Sequence, residues 1–486
     1  MPYTRRDFLH HVLVAGAGAV ALPPRRLAAA GIPAGGADPA PGLRALDSAS
    51  TPAERVRILE RYVHEHAYDP AGLMYSHTNW AEERAFVPGD FSPRDSTMSG
   101  PEGSEWLNYE NSSMIAGFFL AAQCYRYRAT QDAEALVYAR QAFAALDADY
   151  RLTARGSAGA GLVQKAGIIE LAGQPRSPGS GWFCKPYGGI PTGQTSTEQN
   201  FLPAWSLYLY HAIAPDALRP RIAQILKEIS EHWRRGYIIN YFGSLWDMEA
   251  SYPRAPRHMI SWAAVHRMAY EVTKDAGAYD EYQRLDALFG AMPTPLETLR
   301  GLGEPSYVST EDRTFHLQVA IAGDVLAELE PKRSERYRRG IAKWWRFSHI
   351  GQRDDLSAYY FIKIDTATGA WAKLPASVKP RALWTNSFML ENGIWPICWF
   401  AVRERQGLTS AIVARWGAEE AEPARERWKE IYRDVRKEHL HWFIDPERSL
   451  PPELTWMTRV MQGDALALYP LGYWYAQAHG LKPADQ

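Results

Sequence analysis

The chain alternates between two helical patterns, one apolar on nearly every side and one apolar along a single stripe. The segment 114–122 (MIAGFFLAA) is typical of the first. A helix that is apolar all round is buried, so we call helices of this kind the inner helices. Six are predicted, at residues 111–130, 197–213, 257–273, 312–329, 384–402 and 456–479.

The second pattern predicts amphipathic outer helices that follow most of the inner ones. Leu218, Ile222, Ile225, Leu226 and Ile229 form one apolar stripe among charged residues, as on a surface helix. Outer helices are predicted at 133–146, 217–235, 279–289, 333–347 and 423–440. The helix at 53–66 completes the set, because the last inner helix has no outer helix after it.

Six inner and six outer helices predict an all-α fold, the (α/α)6 toroid of six helical hairpins. The links within a hairpin are short, as antiparallel neighbours require. The alternative is an open α-solenoid, which would need end caps and would not explain the very unequal loops. No linker-like segment interrupts the chain, so residues 51–486 are predicted to form one domain.

Long irregular loops precede the inner helices, and in a toroid they gather at one face, which we call the mouth. These loops are rich in the aromatic residues that stack on sugars, and the whole chain holds 18 Trp and 26 Tyr. The mouth is therefore a candidate glycan site. The predicted substrate-binding residues are Trp80, Trp106, Asn111, Lys185, Tyr187, Asn200, Trp246, Arg254, His316, Trp384, Asn386, Trp456 and Arg459.

Carboxyl groups in the same loops are the candidate acids and bases. In an extended strand Asp247 and Glu249 point to the same side, and Trp246 beside them would desolvate a carboxyl and raise its pKa. Glycosidic cleavage ordinarily needs one protonated and one ionised carboxyl group. The predicted catalytic residues are Asp247, Glu249, Glu110, Glu198, His258 and Tyr252. For Glu110 and Glu198, capping of a helix N-terminus is an equal alternative. For Asp247 and Glu249, the alternative is helix capping or a salt bridge to Arg254 or Arg257.

The mouth loops also contain basic residues. A carboxylated sugar as substrate would explain them, because arginine pairs with carboxylates through two hydrogen bonds. Lys185, Arg254, His316 and Arg459 belong to this set. Local charge balance against the nearby acids is the alternative.

The alternating hairpins and the Trp-rich mouth resemble the six-hairpin glycosidase superfamily, with unsaturated glucuronyl hydrolases and β-glucuronidases as the nearest relatives. The resemblance covers residues 53–479, and the segment 109–114 (YENSSM) stands where such enzymes begin an inner helix with a polar, substrate-facing residue. It implies a glycoside hydrolase acting on uronic-acid-containing oligo- or polysaccharides. One alternative is a polysaccharide lyase using Tyr252, His258, Arg254 and Asn200, and another is a non-catalytic glycan-binding protein.

The N-terminus resembles a twin-arginine (Tat) export signal. The segment 4–9 (TRRDFL) carries the arginine pair, an apolar run follows at 12–22, and three alanines end the region at residue 30. Residues 1–30 are therefore predicted to be a signal peptide and 31–50 a flexible leader. This predicts a periplasmic or secreted enzyme that meets the Tat translocon during export. The apolar run is shorter than the ~20 residues that span a bilayer, so no stable membrane anchor is expected.

Charge and cysteine content favour no further partner. The net charge is −1, so neither nucleic acid nor an anionic surface is an expected partner. Cys124, Cys184 and Cys398 are scattered without a CxxC spacing, and an odd number leaves at least one thiol outside any intramolecular disulfide. No metal and no cofactor are predicted.

Overall fold

The computed structural model describes residues 43, 45, 51–91, 104, 107–109, 111–158, 181–186, 195, 197–234, 256–291, 313–337 and 459–480. This part of the chain is mostly helical, as predicted. Its long helices are α1 (Pro52–His66), α2 (Ser112–Thr130), α3 (Ala133–Ala158), α4 (Thr197–His211), α5 (Arg219–Arg234), α6 (Pro256–Thr273), α7 (Ala276–Ala291), α8 (Arg313–Leu329) and α9 (Gly463–Ala478).

The inner helices are buried and pack against one another in series. Every residue of α2 from Ser112 to Arg126 is buried, which confirms the prediction from its all-round apolar pattern. Helix α9 contacts α2, α2 contacts α4, α4 contacts α6, and α6 contacts α8. A Cβ atom on Gly117 would lie 3.0 Å from the backbone of Leu202 and Pro203, so this glycine allows α2 and α4 to approach closely.

The outer helices cover the inner ones from one side. Helix α3 packs on α2, α5 on both α4 and α6, and α7 on α6. Four residues of the predicted α5 stripe, Ile222, Ile225, Leu226 and Ile229, are buried. Burying each such side chain stabilises the fold by ~1.5–3 kcal/mol. Helix α3 runs twelve residues beyond its predicted end at 146, and this extension carries buried polar residues of the candidate site.

The same three-residue link joins two of the hairpins, at 130–132 (TQD) and 273–275 (TKD). In each link the middle residue has a positive φ, 57° and 58°, which ends the inner helix in a left-handed cap. The threonine hydroxyl donates to the carbonyl four residues back, over 2.8 and 2.7 Å. The aspartate Oδ1 accepts a backbone N–H two residues on, over 3.0 and 3.1 Å, which starts the outer helix.

The first and last of the described helices meet, because α1 packs on α9. Glu60 of α1 is buried and accepts hydrogen bonds from Gln123 Nε2 at 2.6 Å, Trp474 Nε1 at 2.8 Å and an Arg126 guanidinium nitrogen at 3.0 Å. The predicted contact between the first and last helices is therefore confirmed. The fifth predicted hairpin, 384–440, lies outside the described residues, so closure into a ring stays a prediction.

A short antiparallel sheet also joins the chain ends. Strand β1 (His77–Asn79) pairs with β2 (Val460–Gln462), with His77 opposite Gln462. The last inner helix, predicted from residue 456, therefore begins only at Gly463. The prediction was wrong by seven residues because the apolar content of β2 cannot be distinguished from that of a helix start.

Aromatic side chains fill the space between the inner helices near their C-terminal ends. The ring of Tyr125 lies edge-on to that of Tyr475 at 5.1 Å and is tilted against the ring of Trp205 at 6.4 Å. The Tyr475 hydroxyl donates to Asp324 Oδ2 of α8 at 3.3 Å. These contacts join α2, α4, α8 and α9 at the end opposite the mouth.

Candidate functional site

The loops before α2 and α9 meet at Ser76. The Ser76 amide donates to Asn108 O at 2.6 Å, and its hydroxyl accepts from the Asn111 amide at 2.5 Å. The Ser76 carbonyl accepts from the Gly463 amide at 2.6 Å. A residue of the first loop thus fixes the N-terminal ends of two inner helices that are far apart in sequence.

Hydrogen bonds with buried side chains fix the conformation of the loop at 68–91. The Asn108 amide accepts from Phe86 N at 3.0 Å and donates to Phe86 O at 2.9 Å. Asp69 accepts from the Tyr109 hydroxyl at 2.9 Å and from the Leu73 amide at 2.8 Å. These buried hydrogen bonds give an irregular segment a defined shape.

Trp80 and Arg459, both predicted to bind substrate, lie next to each other at the end of the sheet. The Trp80 amide donates to Arg459 O at 3.0 Å, and its half-buried ring packs against the core. The Arg459 guanidinium donates to Asp90 O at 2.9 Å. This contact gives Arg459 a role in holding the loop.

Helix α4 joins the site through Gln199, at the third position of the helix. Its Nε2 donates to Asn111 Oδ1 at 3.1 Å, and its Oε1 accepts from the Ser113 hydroxyl. Ser113 and Gln199 are buried, whereas Asn111 is half-buried. The N-terminal ends of α2, α4 and α9 therefore lie together, as the predicted mouth requires.

Asn200, a predicted substrate-binding residue, is fully buried and holds the loop before α4. Its Oδ1 accepts from Phe183 N at 3.0 Å and its Nδ2 donates to Thr195 Oγ1 at 2.7 Å. The Thr195 hydroxyl in turn donates to Phe183 O at 2.5 Å. This network supports a structural role for the Asn200 amide, and it sets the position of the half-buried Lys185 just after it.

Glu198, a predicted catalytic residue, lies on α4 roughly opposite to Asn200. Successive helical side chains point about 100° apart, so Glu198 and Asn200 lie on opposite sides of Gln199. Asn200 faces the loop that packs on α3, where the rings of Phe183 and Tyr150 are 5.4 Å apart. Glu198 therefore lies on the side of α4 away from this loop, and it is half-exposed between two buried neighbours.

A buried carboxyl that sequence reasoning missed lies behind this surface. Asp149 of α3 is 1% exposed, and its Oδ1 accepts from Cys184 Sγ at 3.4 Å. Burial raises the pKa of Asp149 to about 8, against the lowering effect of the hydrogen bond from Cys184. It is therefore neutral at pH 7. It was missed because the predicted helix ended at residue 146, although an aspartate continuing the buried stripe of α3 was a usable signal.

Most of the remaining predicted site residues lie outside the described residues. These are Asp247, Glu249, Glu110, Tyr252, Trp106, Tyr187, Trp246, Arg254, Trp384, Asn386 and Trp456. His258 and His316 lie near the N-terminal ends of α6 and α8, where the backbone is described and their side chains are not. Their roles stay predictions.

The described residues contain no cluster of three or more His, Cys, Asp or Glu side chains arranged to hold a metal ion. Within the same residues, no helix combines the length and apolar character needed to cross a bilayer. Cys124 and Cys184 are both buried and are not joined in a disulfide.

No protein-family model matches this chain, and no curated protein or solved structure is significantly similar to it.

Proposed function

We propose that this chain is an exported glycoside hydrolase built as a closed (α/α)6 toroid. Its substrate is a uronic-acid-containing oligosaccharide, bound at the mouth. Carboxyl groups in the mouth loops supply the acid and base. The site needs no cofactor for this chemistry.

The observation that carries the proposal is the meeting of three remote segments at the N-terminal ends of α2, α4 and α9. Ser76 contacts both Asn111 and Gly463, and Gln199 contacts Asn111. These segments adjoin most of the predicted mouth residues of the first, second and sixth loops. Such convergence of polar groups from separate loops is typical of sites built on a rigid helical scaffold.

Glu198 and Asn111 provide a carboxylate and an amide on this surface. Both are half-exposed, and Gln199, which follows Glu198 in the sequence, donates to Asn111 Oδ1. A half-exposed carboxyl at the start of α4 can reach a sugar bound at the mouth, whereas a carboxyl used only as a helix cap would turn back to the backbone. This exposure favours a site role for Glu198.

The proposed acid remains Asp247, with Trp246 desolvating it and Glu249 as its partner carboxyl. Glu110 and Glu198 are the alternative pair on the neighbouring loops, and His258 and Tyr252 can assist proton transfer. Lys185, Arg254 and His316 are proposed to face the uronate carboxylate. Trp80, Trp106, Tyr187, Trp384 and Trp456 would stack on sugar rings, with Asn386 as a further polar contact.

Incubating the mature chain with saturated and unsaturated uronate oligosaccharides tests the reaction class. New reducing ends without a change in the unsaturated-uronate absorbance indicate a glycosidase. A fall in that absorbance on unsaturated substrates indicates a glucuronyl hydrolase. A rise on saturated substrates indicates the lyase alternative, and binding without any product indicates a glycan-binding protein.

Single variants then identify the acid. Asp247→Asn and Glu198→Gln each remove a titratable proton at nearly constant volume, so losing the true acid should lower kcat by ~100-fold or more. Glu65→Gln on the exposed side of α1 is the matched control and should keep wild-type turnover. If both site variants keep wild-type kcat, neither residue is the general acid, and Glu249 and Glu110 are tested next.

Export is proposed to use the twin-arginine signal at residues 1–30. Replacing Arg5 and Arg6 together by lysine should leave the chain in the cytoplasm with full activity in lysates, because the signal lies outside the folded domain. Normal export of this double variant would refute the proposed route and the Tat translocon as its partner.

A further inference from the structure

Three polar side chains at the mouth form a directed chain of hydrogen bonds. The Ser113 hydroxyl donates to Gln199 Oε1, and Gln199 Nε2 donates to Asn111 Oδ1 at 3.1 Å. An amide side chain has an acceptor end and a donor end. With its acceptor end occupied by Gln199, Asn111 keeps its donor end, Nδ2, for another partner.

No described residue occupies this donor end of Asn111. Its amide is fixed by the Ser76 hydroxyl at 2.5 Å, and its carbonyl accepts from Ile115 N at 3.0 Å, so the backbone cannot turn. Asn111 is half-buried, and its Nδ2 has no hydrogen-bond partner in the part of the chain that the structure describes. Ser113 and Gln199 are 1% and 0% exposed, so solvent does not compete for the bonds that orient it.

We propose that Ser113 and Gln199 are positioning residues that lock Asn111 with its N–H groups toward the mouth, where they select a hydrogen-bond acceptor. The acceptor is the carboxylate of the uronic acid, so this inference rests on the proposed function. A carboxylate can only accept hydrogen bonds, whereas the hydroxymethyl group of a neutral sugar can also donate. The orientation of Asn111 therefore discriminates the acidic sugar from its neutral counterpart.

Reversing the polarity of this chain tests the proposal. In Gln199→Glu the side chain at 199 can only accept once ionised, so Asn111 must turn its N–H groups inward and present Oδ1 to the mouth. In Asn111→Asp the bond from Gln199 is kept and a carboxylate acceptor replaces the donor at a half-buried position, whereas Gln199→Glu places its charge in a fully buried one. Both variants should weaken glucuronate binding about tenfold or more, as expected for a lost hydrogen bond to a charged group.

Binding of glucuronate and of glucose is measured by calorimetric titration, with melting temperature as the check on folding. The change in glucose affinity should stay below about twofold, since a hydroxymethyl group can donate to Oδ1 instead. Gln224→Glu, on the exposed surface of α5, adds the same charge away from the mouth and should leave both affinities unchanged. Ser113→Ala should lower the affinity for glucuronate by a smaller factor and leave the affinity for glucose unchanged. Without the Ser113 hydroxyl, the Gln199 amide can rotate and no longer fixes the orientation of Asn111.

The outcomes separate this inference from the proposed reaction. Glucuronate binding without cleavage of any uronate glycan refutes the hydrolase, while the variants still test the orientation of Asn111. Equal losses for both sugars in the two reversal variants would overturn the inference and leave the hydrolase standing. A wild-type chain with no preference for glucuronate over glucose would also overturn it.

Discussion

Replacing Asp149 by asparagine is expected to stabilise the folded chain at alkaline pH, although it removes a buried polar contact. Asp149 is buried, and burial raises its pKa from the ordinary 3.8 to about 8. Its Oδ2 has no hydrogen-bond partner among the described residues, and Cys184 at 3.4 Å is a weak donor. Asparagine keeps the volume and the acceptor, and it cannot ionise.

The magnitude follows from proton linkage. The folded pKa lies above the unfolded one, so the folded chain binds the extra proton between those values and its stability falls as the pH rises through them. At 1.36 kcal/mol for each pH unit, the free energy of unfolding of the wild type should fall by roughly 4 kcal/mol between pH 5 and pH 8 because of Asp149. The Asp149→Asn variant should not show this fall. At about 2 °C per kcal/mol for a chain of this size, the melting temperatures should diverge by about 8 °C.

Melting curves of wild type and variant across this pH range provide the assay. At acidic pH the free energies of unfolding of the two proteins should differ by no more than ~1 kcal/mol, since the protonated acid and the amide make similar hydrogen bonds. Asp147→Asn on the same helix is the control: it removes an ion pair with Arg221 at 2.8 Å and should bring no gain at alkaline pH. An Asp149→Asn variant that is equally destabilised at both ends of the range would refute a neutral Asp149.

Three further changes probe the packing of the helices. Gly117→Ala should cost ~1–3 kcal/mol, because the new Cβ presses on the backbone of the neighbouring inner helix; Gly89→Ala has open space around it and should melt like the wild type. Burial lowers the pKa of His266 to about 4, so the free energy of unfolding should fall as the pH decreases from ~6.5 toward ~4. In His266→Gln the denaturant midpoint should therefore depend less on pH over this range. A pH dependence equal to that of the wild type would contradict this. Arg126→Met should cost ~3–5 kcal/mol by leaving Glu60 buried without its cation, and a urea midpoint close to that of the wild type would show that the pair does not hold the chain ends together.

For the helices that the structure describes, the sequence alone was sufficient for the division into inner and outer helices. An apolar pattern on all sides can be stable only when a helix is surrounded, and α2 is buried along most of its length. A single stripe such as that of α5 buries one face only, as found. These features are local, because burial follows from the order of apolar residues along one helix. The same logic correctly paired α1 with α9, since the last inner helix otherwise lacked a cover.

Only the tertiary structure decided which polar residues of the mouth act on each other. Asn200 and Arg459 are of residue types that often bind sugars, yet the hydrogen bonds described for them fix the backbone of loops. The sequence pattern indicated no role for Gln199 and no burial of Asp149, because their contacts are with residues 35 to 88 positions away. The environment of a polar group depends on neighbours brought in by other helices, and the start of α9 depended likewise on strand pairing with a distant segment. Patterns along the chain determine what each helix buries, whereas hydrogen bonds between helices determine what each polar side chain can do.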